Sequence, residues 1–170
     1  GAGIPNHKVE NAIGVMKAYS TCVGEGPFTA EMFGDEAEEL RKAGGEYGAA
    51  TGRPRRVGGF DVVASKYGCM VQGANEIALT KLDILDTMAK IPVCVSYDVN
   101  GKTVDEFPSG EALNIAKPNV VYLDGWNEST VNCRKFEDLP LNAQKYIEFI
   151  EKAVDCKIKY ISVGAERDAI

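Results

Sequence analysis

Hydrophobic positions at helical spacing are clearest near the end of the chain. They predict a helix from Leu139 to about Val154, with Pro140 in its first turn. Residues three and four positions apart share one face of a helix, so an apolar stripe at this spacing is expected to face the core. The stripe comprises Ala143, Tyr146, Ile147, Ile150 and Val154.

A second helix is predicted after Asp61, whose side chain can accept a hydrogen bond from the first helical turn. This helix runs to about Val71 and stops at Gly73, because glycine readily adopts the left-handed conformation common at helix ends. Its predicted apolar stripe comprises Val62, Val63, Tyr67 and Met70.

Two further helices are predicted in the first part of the chain. Residues 36–42 form a short acidic helix ended by Gly44-Gly45, and its glutamates are interpreted as a solvated face. A helix from Asn6 to about Val15 is predicted because apolar residues recur there at helical spacing. These residues are Val9, Ile13 and Met16.

Short apolar runs bounded by turn residues predict strands between these helices. The strands are Ala18–Val23, Ile77–Thr80, Ile91–Tyr97, Val120–Leu123 and Ile158–Ser162. Asn100-Gly101 predicts a turn that leads into a hairpin partner at Thr103–Phe107. The alternation of helices and strands predicts an α/β fold with a mixed, mostly parallel sheet, flanking helices and a β-hairpin.

The tetrapeptide Thr80-Lys81-Leu82-Asp83 directly follows an apolar run, at the end of a strand where open α/β sheets place ligand contacts. A carboxylate at Asp83 can accept from both N1–H and the 2-amino group of guanine, a pairing that adenine does not offer. Lys81 can lay its methylene stem along the base while its ammonium group stays hydrated. The tetrapeptide therefore predicts a guanine site, and the alternative is a solvated turn after a strand.

Three arginines, Arg53, Arg55 and Arg56, lie within four positions of one another and are surrounded by glycines. The guanidinium group is a planar fork of donors that matches phosphate and carboxylate oxygens. The chain as a whole has a net charge of -6. A compact basic segment in an acidic chain suits one small anionic ligand better than a long nucleic acid. The alternative is a solvated basic turn.

Five segments carry the strongest pattern: Gly14–Thr21, Val23–Phe28, Thr51–Arg56, Leu79–Asp83 and Ile161–Gly164. In order and spacing they resemble the C-terminal part of adenylosuccinate synthetase, and the resemblance runs through essentially all 170 residues. It implies the C-terminal portion of that fold, as a single domain or fragment. It also implies a cytoplasmic, homodimeric ligase that joins IMP and L-aspartate, using GTP and Mg²⁺, to give adenylosuccinate, GDP and phosphate.

The resemblance implies ligand contacts by position. Arg53 would lie near IMP, and the aspartate-binding loop would comprise Ala49, Ala50, Thr51, Gly52, Arg53, Pro54 and Arg55. The GTP-binding residues would be Arg55, Lys81, Leu82, Asp83, Ser162, Val163 and Gly164. Two positions depart from the family pattern. Many members have a second threonine where Ala50 stands and an arginine where Cys22 stands.

The resemblance places the catalytic machinery of the family, a phosphate loop with an aspartate base and a histidine acid, nearer the N-terminus. The only Gly-Lys pair here is Gly101-Lys102, and Ser96 stands five positions before Gly101, so the phosphate-loop spacing is absent. His7, the only histidine, has no carboxylate partner in its segment and is interpreted as an exposed polar residue. We expect no catalytic or metal-binding residue in this chain, with Mg²⁺ bound mainly by the N-terminal part, and no activity from the chain alone.

The remaining features leave a second hypothesis open, a stand-alone guanine-nucleotide binding module without catalysis. Trp126 can stack on a base or, more commonly, anchor a loop to the core. No signal peptide or membrane-spanning apolar stretch is present in the sequence, so we expect a soluble protein with no membrane partner. The cysteines are scattered and are expected to be reduced, mostly buried thiols: Cys22, Cys69, Cys94, Cys133 and Cys156.

Overall fold

The computed structural model describes residues 9–170, and helices and strands alternate along them. The strands are β1 (Ile13–Lys17), β2 (Ser20–Cys22), β3 (Arg56–Gly58), β4 (Phe60–Asp61), β5 (Glu76–Thr80), β6 (Lys90–Val99), β7 (Lys102–Val104), β8 (Lys117–Asp124) and β9 (Lys157–Ile161). The helices are α1 (Asp35–Gly44), α2 (Val62–Gln72), α3 (Glu111–Ile115) and α4 (Leu141–Val154), and short 3₁₀ helices span Leu82–Leu85 and Phe136–Asp138. The predicted α/β class is confirmed.

The described strands are divided among three sheets rather than joined in one. β5 lies between β1 and β9 and is parallel to both. β2 pairs with β3 in antiparallel fashion, while β6 is parallel to β4 and antiparallel to β7 and β8. The predicted hairpin is present as β6 and β7, which are joined by the turn at Asn100-Gly101.

Helix α2 begins and ends close to the predicted positions. Asp61 accepts a hydrogen bond of 3.0 Å from a backbone N–H of the first turn, and Gly73 ends the helix at φ 61°. The predicted apolar stripe is partly wrong, since Tyr67 is 43% exposed and Met70 is 69% exposed. Successive helical residues point about 100° apart, and the face that packs against β6 and α4 carries Val62, Val63 and Cys69.

Helix α4 confirms the clearest sequence pattern. All five residues of its predicted stripe are buried, and the helix packs against α2 and β9. The hydroxyl of Tyr146 donates a hydrogen bond of 2.5 Å to the carbonyl of Ala18, which ties the helix to the segment after β1. With 14 residues α4 is the longest helix of residues 9–170, and none of the helices there is long and apolar enough to cross a membrane.

The helix predicted from Asn6 to Val15 is wrong in its described part, because Ile13–Lys17 is a strand. Its residues pair in parallel with β5, with Gly14 opposite Ile77. Glycine and the β-branched residues around it are poor helix formers, so the gain from sheet pairing outweighs the helical spacing of three apolar residues. Positions 1–8, including His7, lie outside the described residues.

Candidate functional site

The predicted guanine segment lies at the carboxyl end of β5, in the centre of the parallel sheet. Lys81 has φ 61° and ψ 35°, a left-handed conformation that turns the chain abruptly from the strand into the 3₁₀ helix. Leu82 is fully buried, whereas Lys81 and Asp83 on either side of it are partly exposed. The buried leucine therefore fixes the turn that presents the two polar residues.

The segment Ser162–Gly164 lies beside this turn, because β9 is the direct neighbour of β5. The N–H of Leu82 donates to the carbonyl of Ser162 at 3.2 Å, and the N–H of Ser162 donates to the carbonyl of Leu79 at 2.8 Å. The hydroxyl of Ser162 turns inward and donates to the carbonyl of Gly164 at 2.9 Å. The structure thus brings together two predicted nucleotide segments that are far apart in sequence.

Asp83 borders a shallow depression of about 420 Å³ next to Asp86 and Asn127. Burial raises the pKa of Asp83 above its usual value, and the negative charge of Asp86 raises it further. Its own backbone N–H and Lys81 act in the opposite direction. Two N–H donors from a ligand would favour the ionised carboxyl group, which is the form that pairs with guanine.

A buried carboxylate that the sequence analysis did not identify lies behind Lys81. Glu46 has no solvent-exposed surface and binds three cations and a phenol. Its Oε1 accepts hydrogen bonds from Lys17 Nζ at 2.9 Å, Lys81 Nζ at 2.9 Å and the Tyr19 hydroxyl at 2.6 Å. Its Oε2 accepts one from Arg55 Nη1 at 2.9 Å.

These contacts determine the ionisation of Glu46. Burial of the carboxyl group works against its charge, but hydrogen bonds from Tyr19, Lys81 and Lys17 outweigh that effect and lower the pKa of Glu46 to about 2. Burial and the neighbouring carboxylate raise the pKa of the Tyr19 hydroxyl far above its usual value. At neutral pH the carboxylate is therefore charged and the phenol remains a proton donor.

The ammonium group of Lys81 was expected to be hydrated, but in the structure it is bound by protein oxygens. Besides Glu46, it donates to the carbonyl of Gly44 at 2.9 Å and lies 3.4 Å from the Tyr19 hydroxyl. Three protein oxygens thus surround the ammonium group, because it extends back toward the buried carboxylate. The side chain is still 38% exposed.

The predicted aspartate loop is a tight turn between Tyr47 and Pro54, which form a β-bridge. Gly48 accepts a hydrogen bond from the N–H of Gly52 and donates one to the carbonyl of Arg53, each at 2.8 Å. Gly52 has φ 63°, a conformation that favours glycine. The side chains of residues 49–53 are exposed at the surface.

The three neighbouring arginines have different environments. Arg53 is exposed, and among residues 9–170 its side chain makes no ion pair or hydrogen bond. Arg55 is partly exposed and holds Glu46, while its buried Nε has no hydrogen-bond partner within the described residues. Arg56 binds both oxygens of Glu31 and the carbonyls of Gly24 and Gly26. Arg56 is therefore a structural residue, whereas Arg53 and Arg55 retain donors for a ligand.

Trp126 anchors a loop to the core. Its side chain is buried, and its Nε1 donates to Asp86 Oδ1 at 2.8 Å. Asp86 also accepts hydrogen bonds from the backbone N–H and the hydroxyl of Thr130. The indole is therefore engaged in packing and is not presented to a ligand.

Glu46 could have been suspected from the sequence only through a weak signal, a lone acidic residue within the glycine-rich stretch Gly44–Gly48. Nothing in that stretch indicates that Lys17, Arg55 and Lys81 converge on it. In the described part of the chain, no three His, Cys, Asp or Glu side chains form a cluster that could hold a metal ion.

Comparison with known proteins gives a consistent match. A family model described as adenylosuccinate synthetase matches residues 1–170. The adenylosuccinate synthetase of Kineococcus radiotolerans is 46% identical over 169 residues, which cover 99% of this chain and 40% of the relative. That of Fusobacterium nucleatum is 43% identical over 168 residues, which cover 98% of this chain and 40% of the relative.

Among solved structures, the fully ligated adenylosuccinate synthetase from Plasmodium falciparum superposes with a TM-score of 0.92 at 36% identity. The match covers 98% of this chain and 41% of that chain. The chain spans about 40% of the length of the curated relatives that it matches.

Proposed function

Because the chain belongs to the adenylosuccinate synthetase family, we propose that it forms the ligand-binding C-terminal part of such an enzyme. The enzyme is a ligase of purine biosynthesis that joins IMP and L-aspartate at the expense of GTP, giving adenylosuccinate, GDP and phosphate. In this proposal the chain binds and orients the three substrates.

One observation carries the proposal, the hydrogen bond between Leu82 and Ser162. The sequence assigned these two segments to the same nucleotide by resemblance, and they are immediate neighbours in space. In the proposed site Asp83 accepts from N1–H and the 2-amino group of guanine. The stem of Lys81 lies along the base, and the backbone of Ser162–Gly164 borders it from the other side.

The arginine loop supports the second half of the proposal. Arg53 presents an exposed guanidinium group that suits a carboxylate of aspartate or the phosphate of IMP. Arg55 has a side chain that is 35% exposed, and its neighbourhood is cationic because Lys17 and Lys81 share its partner Glu46. It therefore suits the nucleotide phosphates or the aspartate carboxylates. Holding two substrates close together in the correct orientation itself accelerates the reaction between them considerably.

The compartment, the oligomeric state and the metal dependence of the enzyme are proposed from its family. We propose a cytoplasmic homodimer whose reaction depends on Mg²⁺, which would neutralise charge on the phosphates of GTP. In this proposal Mg²⁺ is held by the phosphates of GTP and mainly by residues of the N-terminal part of the enzyme. Proton transfer is assigned to that part as well.

The test is an assay of the complete synthetase that carries this chain, with IMP, aspartate, Mg²⁺ and either GTP or ATP. We expect adenylosuccinate to form with GTP and not with ATP, since adenine lacks the N1–H and 2-amino donors from which Asp83 would accept hydrogen bonds. The 170-residue chain assayed alone is expected to give no product. Equal activity with ATP, or product from the chain alone, would contradict the proposal.

A further inference from the structure

Glu46 contacts both halves of the proposed site with different atoms of one carboxylate. Oε1 holds Lys81, a residue of the guanine segment, and Oε2 holds Arg55, a residue of the arginine loop. The backbone of Glu46 reinforces the second contact, because its carbonyl accepts from the N–H of Arg55 at 2.9 Å. Neither contact could be replaced by solvent, since Glu46 has no exposed surface.

The charge balance of this cluster favours a role in ligand binding. Lys17, Lys81 and Arg55 bring three positive charges to one negative charge, so the cluster keeps a surplus of two positive charges. Without the carboxylate, three partly exposed cations would lie together, and their repulsion would push them apart. Glu46 therefore lets several cations stay close together and point in fixed directions beside an anion site.

Stability alone is a weak explanation for such a cluster. Buried ion pairs are expensive to desolvate, and well-packed apolar residues of similar volume often stabilise a fold equally well. The apolar alternative would not fix Lys81. With its ammonium group held by Glu46, Gly44 and Tyr19, the methylene stem of Lys81 loses rotamer freedom before a base arrives, and less entropy is lost on binding.

We propose that Glu46 is a positioning residue that couples the guanine site to the arginine loop, by holding Lys81 with one oxygen and Arg55 with the other. This inference rests on the proposed function of the two segments. It assigns to one residue, which touches no substrate, an effect on the use of both GTP and aspartate. Any displacement of Arg55 by an anionic ligand is transmitted to Lys81 through a single rigid group.

The test uses Glu46→Gln in the complete synthetase, with KM and kcat measured for GTP and for aspartate. A hydrogen bond to a charged group contributes on the order of 1.5 to 3 kcal/mol, so we expect both KM values to rise about tenfold or more. Glu46→Asp keeps the charge but is too short to hold both partners. It is expected to raise the same two KM values, and it provides the test if Glu46→Gln does not fold.

A double variant separates positioning from a general structural effect. If Glu46 acts on GTP partly through Lys81, then Lys81→Met combined with the Glu46 substitution should raise the KM for GTP by less than the product of the two single effects. The matched control is Glu31→Gln, which removes a comparable carboxylate that pairs with Arg56 outside the site. We expect it to lower Tm while leaving the KM values for GTP and aspartate unchanged.

Failure of the proposed role of Glu46 can be distinguished from failure of the proposed function. Unchanged KM values in a folded Glu46 variant, or a double variant whose effect is the product of the two single effects, would overturn the coupling role of Glu46. A wild-type enzyme that shows no GTP-dependent formation of adenylosuccinate would instead overturn the proposed function on which this inference rests.

Discussion

Arg53, Arg55 and Arg56 are close in sequence, but the residues around each side chain decide what it can do. Arg56 is saturated by Glu31 and two carbonyls, and its guanidinium lies 5.4 Å from the centre of the Phe28 ring. Arg53 is exposed near the end of the loop between Tyr47 and Pro54. The sequence predicted an anion-binding cluster of three arginines. It could not show that Arg56 has a structural role, because its partner Glu31 is distant in sequence.

This difference leads to a paired prediction for Arg53→Leu and Arg56→Leu in the complete synthetase. Arg53→Leu should raise the KM for IMP or aspartate about tenfold or more. Its Tm should stay nearly unchanged, since substitutions at exposed sites usually change stability by roughly 0.5 kcal/mol or less. Arg56→Leu should lower Tm, because it leaves Glu31 without its partner. Loss of folding in Arg53→Leu with no separate kinetic defect would show that Arg53 is structural.

The role of Glu46 could not be predicted from the sequence. Its chemistry depends on Lys17, Tyr19, Arg55 and Lys81, which come from three separate parts of the chain. Composition and spacing carry no information about such a convergence. The same contacts explain why the ammonium group of Lys81 is bound by protein oxygens, although the sequence alone suggested a hydrated one.

At the scale of elements, the sequence predicted best where local signals and packing agree. Helix α4 has a continuous apolar stripe, and α2 has both an N-cap and a glycine stop. Strand β1 was predicted as part of a helix because Val9, Ile13 and Met16 fit helical spacing, although Val9 lies outside the strand. The parallel pairing of β1 with β5 is a tertiary contact. The three-residue strand β3 and the two-residue strand β4 are too short to show any periodicity.

The cap of α2 gives a prediction at this scale. Asp61 accepts from the first turn of α2 and from the buried hydroxyl of Tyr97 at 2.6 Å. Loss of an N-cap costs about 0.5 to 2 kcal/mol, and an unpaired buried hydroxyl adds roughly 1 to 3 kcal/mol. Asp61→Ala should therefore lower Tm clearly more than Tyr97→Phe, which keeps the cap. Thermal unfolding of both variants measures the difference, and equal losses would contradict the capping role.

At the scale of the whole molecule, the site exists because β5 lies between β1 and β9. That order places the ends of β5 and β9 side by side and joins Leu82 to Ser162. The sequence predicted β5 and β9 but not β1, and the family resemblance predicted that the two segments share a ligand. Which strands are neighbours, and how the strands divide into three sheets, depends on long-range packing that no local pattern encodes.

Asp83→Asn is the substitution that tests the proposed guanine site of this chain. The substitution replaces one acceptor oxygen with a donor, so it should raise the KM for GTP roughly tenfold to a hundredfold while the KM for IMP changes little. Xanthine carries a carbonyl where guanine has its amino group, and the new amide can donate to it.

The decisive measurement compares kcat/KM for GTP and XTP in the complete synthetase, wild type against Asp83→Asn, with the exposed Asp105→Asn as the control. We predict that Asp83→Asn shifts the preference from GTP toward XTP and that Asp105→Asn leaves it unchanged. An Asp83→Asn enzyme with unchanged GTP kinetics and no gain on XTP would contradict the proposed guanine site, because Thr80–Asp83 would then be only a turn after a strand.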